Sequence, residues 1–166
     1  EIISAGEYSL KFIEASGTGT LSGVETSGSM GGNSFQNAES ELNLQVTGCT
    51  FQDEAGEGYG SMELRPSGTG IIRASLTDVD FLTGNAAGLY LHSEGSGLGV
   101  AMLNDVTFTD NADSQIKVWA EGGSAELSVI GSGFSGGEVY GIDVEANGTA
   151  TARVEVSGSE FTGLQS

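Results

Sequence analysis

Five phenylalanines recur at nearly constant intervals. Phe51, Phe81, Phe108, Phe134 and Phe161 stand 30, 27, 26 and 27 residues apart. Each closes a short run: Gly48-Cys49-Thr50-Phe51, Asp78-Val79-Asp80-Phe81, Asp105-Val106-Thr107-Phe108, Gly131-Ser132-Gly133-Phe134 and Gly158-Ser159-Glu160-Phe161. Met30 fits one step earlier, at a spacing of 21, and Ser16-Gly17-Thr18-Gly19 matches Ser67-Gly68-Thr69-Gly70. A unit of about 27 residues cannot bury a core alone, so it must stack on its own copies.

Apolar residues alternate around each phenylalanine. Nine, seven and five residues before it stand Leu42/Leu44/Val46, Ile72/Ala74/Leu76, Gly99/Ala101/Leu103, Ala125/Leu127/Val129 and Ala152/Val154/Val156. Eight and ten residues after it stand Leu89/Leu91, Ile116/Val118 and Ile142/Val144. The pair after Phe51 is Met62/Leu64, three residues late, so that coil carries an insertion; Leu10/Phe12 serve the first coil. Period two marks a strand with one buried face. Each repeat therefore holds two alternating strands and a short third bearing the phenylalanine, joined by Gly- and Asn-rich turns. Strand interiors free of proline fit a solenoid, where each strand donates to a neighbour. The fold predicted is all-β: one domain over residues 1–166, a right-handed parallel β-helix of about five to six coils.

The charge narrows the function. The chain has 23 acidic and 5 basic residues, a net charge of −18. A phosphate-backbone binder needs clustered Lys and Arg, so nucleic acid and anionic membranes are poor partners. No apolar run approaches the roughly 18 residues that span a bilayer. A single Cys excludes an internal disulfide framework. Cys49, aligned with Val79, Val106, Ser132 and Ser159, reads as a small buried thiol. High acidity with little Lys suits an extracellular or cell-surface setting, where salt screens self-repulsion. The first residue is Glu1, which suggests a processed protein or a piece of a longer one.

Runs such as Val46-Thr47-Gly48-Cys49-Thr50-Phe51 and Phe81-Leu82-Thr83-Gly84-Asn85-Ala86-Ala87-Gly88-Leu89-Tyr90-Leu91 resemble the repeat of right-handed, pectate-lyase-like parallel β-helices. Phe108-Thr109-Asp110-Asn111 resembles the Phe-x-x-Asn element of autotransported surface proteins, here without its Gly-Gly-Ala-Ile companion. The resemblance implies the fold and a secreted or surface habit. It implies no reaction, because the scaffold carries lyases, hydrolases, adhesins and phage spikes.

Carboxylates are the first chemical candidates. Asp78 and Asp105 share one repeat position and belong on neighbouring coils about 5 Å apart; with Asp80 they could act as general acid and base. Gly48, Gly131 and Gly158 occupy that position elsewhere, so turn-forming is the competing role. The Asn-Thr-Asp, Gly-His-Gly and Arg-Ile-Lys signatures of the family's hydrolases are absent. A lyase would need clustered cations for a polyanionic substrate, whereas Lys11, Arg65, Arg73, Lys117 and Arg153 are scattered. Asp53, Glu54, Glu57, Asp110 and Asp113 are turn carboxylates suited to calcium, the one cofactor the sequence suggests. Zinc is disfavoured because His92 is the only histidine. Asn147-Gly148-Thr149 is a glycosylation sequon on a turn.

The outward face of the second strand supplies a recognition candidate. Stacking puts Tyr90, Lys117 and Asp143 in one column and His92, Trp119 and Glu145 in another. Aromatics beside polar groups can stack on sugars or anchor a partner; ladder packing, with Lys117 neutralising Asp143, is the plainer role. The function expected is a non-enzymatic structural or adhesive module of the surface or extracellular space. Its partners would be copies of itself stacked end to end or neighbouring segments of a longer chain. The alternative is a β-helix that binds or acts on a neutral glycan.

Overall fold

The structure, a computed structural model, describes residues 2–3, 8–53, 60–137 and 139–164. Among these the chain is all β, coiled into a parallel solenoid of about 5 turns. The strands run in chain order as β1 (Ile2–Ile3), β2 (Leu10–Ile13), β3 (Gly17–Ser22), β4 (Glu25–Ser27), β5 (Asn33–Asn37), β6 (Glu41–Thr47), β7 (Thr50–Gln52), β8 (Met62–Pro66) and β9 (Ile71–Leu82). They continue as β10 (Leu89–Glu94), β11 (Leu98–Thr109), β12 (Ile116–Glu121), β13 (Ser124–Ile130), β14 (Gly133–Ser135), β15 (Ile142–Asn147), β16 (Thr151–Ser157) and β17 (Glu160–Thr162).

Three ribbons face one core. The first stacks β3, β6, the leading halves of β9 and β11, then β13 and β16. The second stacks the phenylalanine strands, with Phe51, Phe81, Phe108, Phe134 and Phe161 in register. The third is a separate sheet in the order β15-β12-β10-β8-β5-β2. Every inward pair predicted by counting from the phenylalanines is in register, as in Leu89↔Ile116 and Leu91↔Val118. The phenylalanine rings are 5.3, 4.8, 5.1 and 4.4 Å apart down the column. That spacing follows the rise between hydrogen-bonded strands, so one ring per coil builds a continuous offset stack.

Each coil turns between its first two ribbons through one left-handed residue. Gly48, Asp78, Asp105, Gly131 and Gly158 hold φ of 59, 55, 54, 60 and 60°. Glycine enters this region without strain and aspartate is among the few side chains that tolerate it. A second such corner follows the phenylalanine by two residues, at Asp53, Thr83, Asp110, Gly136 and Gly163, with φ from 51 to 62°. Between the corners the Cys49 thiol and the Ser132 and Ser159 hydroxyls each donate to the carbonyl two residues earlier. Cys49 is buried, as expected. Asn111, the asparagine of Phe-x-x-Asn, is buried and ties coils together: Nδ2 donates to Phe81 O at 3.4 Å and Oδ1 accepts from Gly84 N at 3.2 Å.

The first coil departs from the expected register. Thr26, not Met30, pairs with Phe51, and Met30 is exposed. Gly17 pairs with Leu42, which pairs with Ile72, so the Ser16–Gly19 run lies four positions away from its apparent match at Ser67–Gly70. The reason is that Thr26 replaces the ring marker and donor groups fill the space beside it: Asn33 Nδ2 bonds Thr26 Oγ1 at 3.1 Å. Asn33 and Phe35 are the inward pair of this coil, with Phe35 stacked 5.1 Å from Phe12. Pro66 closes β8 rather than standing inside it. The β8–β10 ladder ends at Leu64↔Leu91, short of the residue that has no N–H.

Candidate functional site

The corner geometry explains most of the acidic candidates. Asp78 and Asp105 share a register position as expected, but both are exposed and hold the left-handed turn that glycine makes in other coils. Asp80 lies in β9, half-buried, paired with Thr107 on the next coil. Asp53 and Asp110 occupy the second left-handed corner. Asp53 accepts a hydrogen bond from Thr83 Oγ1 at 2.7 Å, and Asp113 pairs with Lys117 at 3.8 Å. Glu54 and Glu57 lie outside the described residues. The conformational role gives a direct measurement. Asp78→Gly should be neutral or stabilise by up to about 1 kcal/mol, while a β-branched Asp78→Val should cost about 1–2 kcal/mol in urea unfolding. Equal losses in both would show that the carboxylate does more than turn the chain.

The outward columns of the third ribbon are in the predicted register. Tyr90 pairs with Lys117 and Lys117 with Asp143; His92 pairs with Trp119 and Trp119 with Glu145. Their expected exposure is not found throughout. Tyr90 is 3% exposed and His92 6%, Trp119, Lys117 and Asp143 are half-buried, and Glu145 is exposed. His92 stacks between Tyr90 and Trp119, with ring centroids 5.3 Å apart on each side. Packing between the rings removes Tyr90 and His92 from any open ridge. Lys117 Nζ lies 5.9 Å from the Trp119 ring centroid, and its ion pair is with Asp113 on its own coil rather than with Asp143. The i,i+4 partner across the turn is within reach of the flexible ammonium, so register proximity does not decide the pairing.

The structure adds four charged residues to this face. Glu63 precedes Tyr90 in its column and is 2% exposed. Its Oε2 accepts from Ser34 Oγ at 2.7 Å, while Oε1 has no partner. Arg65 Nη2 reaches Glu94 Oε1 at 2.6 Å. Glu94 and Glu121 pair in register two residues beyond His92 and Trp119. His92 Nε2 stands 3.3 Å from Glu94 and 4.0 Å from Glu121. Burial holds the His92 imidazole below its usual 6.5 despite Glu94, with Arg65 adding to the lowering and Glu63 and Glu121 opposing it. The ring is therefore neutral at neutral pH. Glu94 and Glu121 each stand thirteen residues after a phenylalanine, a recurrence that the aromatic columns beside them obscured.

These features define a parallel β-solenoid with a buried polar cluster on one outer face. No protein family, curated protein or solved structure matches the chain. No helix among the described residues is long and apolar enough to cross a membrane.

Proposed function

We propose that this chain is a non-enzymatic structural or adhesive module of an extracellular or cell-surface assembly, kin to the right-handed pectate-lyase-like solenoids, whose ends each receive a further coil. The observation that carries this reading is the state of the two outer coils. Phe12 belongs to an inward column of the third ribbon yet is 40% exposed; at the other end Val144 of that column, and Val156 and Phe161 from the inward columns of the other two ribbons, are 46, 43 and 43% exposed. Inner members of those columns, Val118, Val129 and Phe108, are fully buried. Among the described residues the outer strands β2 and β15 each have one hydrogen-bonded neighbour in their sheet. Exposed apolar cross-sections with open strand edges are templates for another strand layer.

Copies of this chain, or flanking coils of a longer polypeptide, would supply that layer. A head-to-tail contact between copies is heterologous and does not close on itself, so it propagates as a filament. The charge of −18 opposes it, and salt or calcium relieves the repulsion. The acidic, Lys-poor composition supports the surface setting. The placement of Asp78 and Asp105 in corners supports a role without catalysis.

Sedimentation velocity and negative-stain microscopy test the assembly. The chain should sediment faster as concentration and ionic strength rise, with end-to-end rods in millimolar calcium. Phe161→Glu, on the exposed end, should return it to monomer. A strictly monomeric wild-type chain under every condition would reject stacking between copies and leave only the flanking coils.

A further inference from the structure

The cluster at the end of β10 and β12 is independent of the stacking just described. His92 and Glu94 lie two residues apart on one strand and so project from one face; Glu121 is Glu94's partner on the next coil. One potential ligand atom from each lies within 4.8 Å of the other two, the one such set of His, Cys, Asp or Glu among the described residues. Paired carboxylates alone are commonplace on so acidic a chain. The second observation is His92 itself. Its side chain is 8% exposed, yet neither Nδ1 nor Nε2 has a hydrogen-bond partner. Glu94 Oε1 is near enough to Nε2 in distance but without the alignment a hydrogen bond requires. A buried imidazole left unbonded is unfavourable unless something else occupies its lone pair.

We propose that His92 Nε2, Glu94 and Glu121 bind one divalent transition-metal ion of the zinc class, clamping two adjacent coils. Ligand atoms about 2.0–2.2 Å from a tetrahedral ion stand roughly 3.3–3.6 Å apart. The 3.3 Å between His92 and Glu94 meets that separation. Glu121 stands 4.0 Å away with a side chain 61% exposed, so a small rotamer change brings it in. A neutral imidazole is the ligating form. Two carboxylates balance the ion's charge. Arg65 Nη2 bonds the same Glu94 Oε1 at 2.6 Å, which orients the oxygen that faces His92 Nε2. A nitrogen donor selects against calcium, which takes oxygen ligands. Three protein ligands leave a fourth position for water.

The intact chain, stripped with chelator, is titrated with zinc chloride against a chromogenic competitor, and separately with cobalt to read its visible absorption. One equivalent of zinc should bind in the presence of millimolar calcium. Cobalt should give the intense bands of a four- or five-coordinate site. Glu121→Gln should weaken zinc at least roughly tenfold, and zinc should raise the Tm of wild type more than that of this variant. Glu121 is exposed, so its amide keeps the fold; His92→Gln, which risks packing, should abolish the cobalt bands. Zinc displaced by millimolar calcium, equal affinity in wild type and Glu121→Gln, or no binding at all would overturn the site.

Discussion

Val118→Asp should abolish cooperative unfolding or lower the Tm by more than about 10 °C. Val118 is fully buried in β12, between Leu91 on one coil and Val144 on the other. A carboxylate there meets apolar neighbours above and below, and an unpaired buried charge costs more than about 4 kcal/mol. In a solenoid each coil is held chiefly by its two neighbours, so damage at one inward position loosens both interfaces at once. The adjacent residue is the control. Lys117 points outward, half-buried, with one ion pair at 3.8 Å to Asp113; Lys117→Ser should cost about 1 kcal/mol or less. Circular dichroism melts of the two variants separate the faces of β12. Indistinguishable melts would place the inward register one residue off.

The solenoid was legible because its core is a column, and a column is a spacing. Counting from the phenylalanines assigns the paired residues of β6, β9, β11, β13 and β16, and of β8, β10, β12 and β15, without knowing the backbone. The count fails at Thr26, where a buried hydroxyl bonded to Asn33 replaces the ring and the coil shortens to 25 residues from Gly17 to Leu42. Its own inward pair, Asn33 and Phe35, is half polar and so lacks the alternation that marks the others. Site chemistry was less legible for two physical reasons. Aspartate is both an acid and a residue that tolerates left-handed backbone, so Asp53, Asp78, Asp105 and Asp110 carry the same sequence signal for either role; their φ values identify the turns. His92, Glu94 and Glu121 are distributed over two coils, and in the sequence His92 stands out only as the single histidine and a column residue, Glu94 and Glu121 not at all. Only parallel register and the burial of one imidazole make them a cluster.

Phe108→Ala should be the costliest truncation in the phenylalanine column, at about 3–5 kcal/mol. The ring is fully buried and stacks on Phe81 at 4.8 Å and Phe134 at 5.1 Å. It also packs against Gly88, where a Cβ would stand 2.7 Å from Phe108 Cδ1, so that neighbour has no side chain with which to fill the void. Phe161 has the same role against Gly141 on the last coil, but it stacks on Phe134 alone among the described residues and is 43% exposed. Phe161→Ala in the isolated monomer should therefore cost about half as much or less. Urea unfolding at low protein concentration measures the difference. The gradient between the two sites also reports on the ends of the molecule: another coil laid over Phe161 would bury the ring and raise the cost of its loss toward that of Phe108. Repeating the measurement at concentrations where the chain assembles should narrow the gap, whereas a gap unchanged by concentration would mean that the last coil stays uncovered.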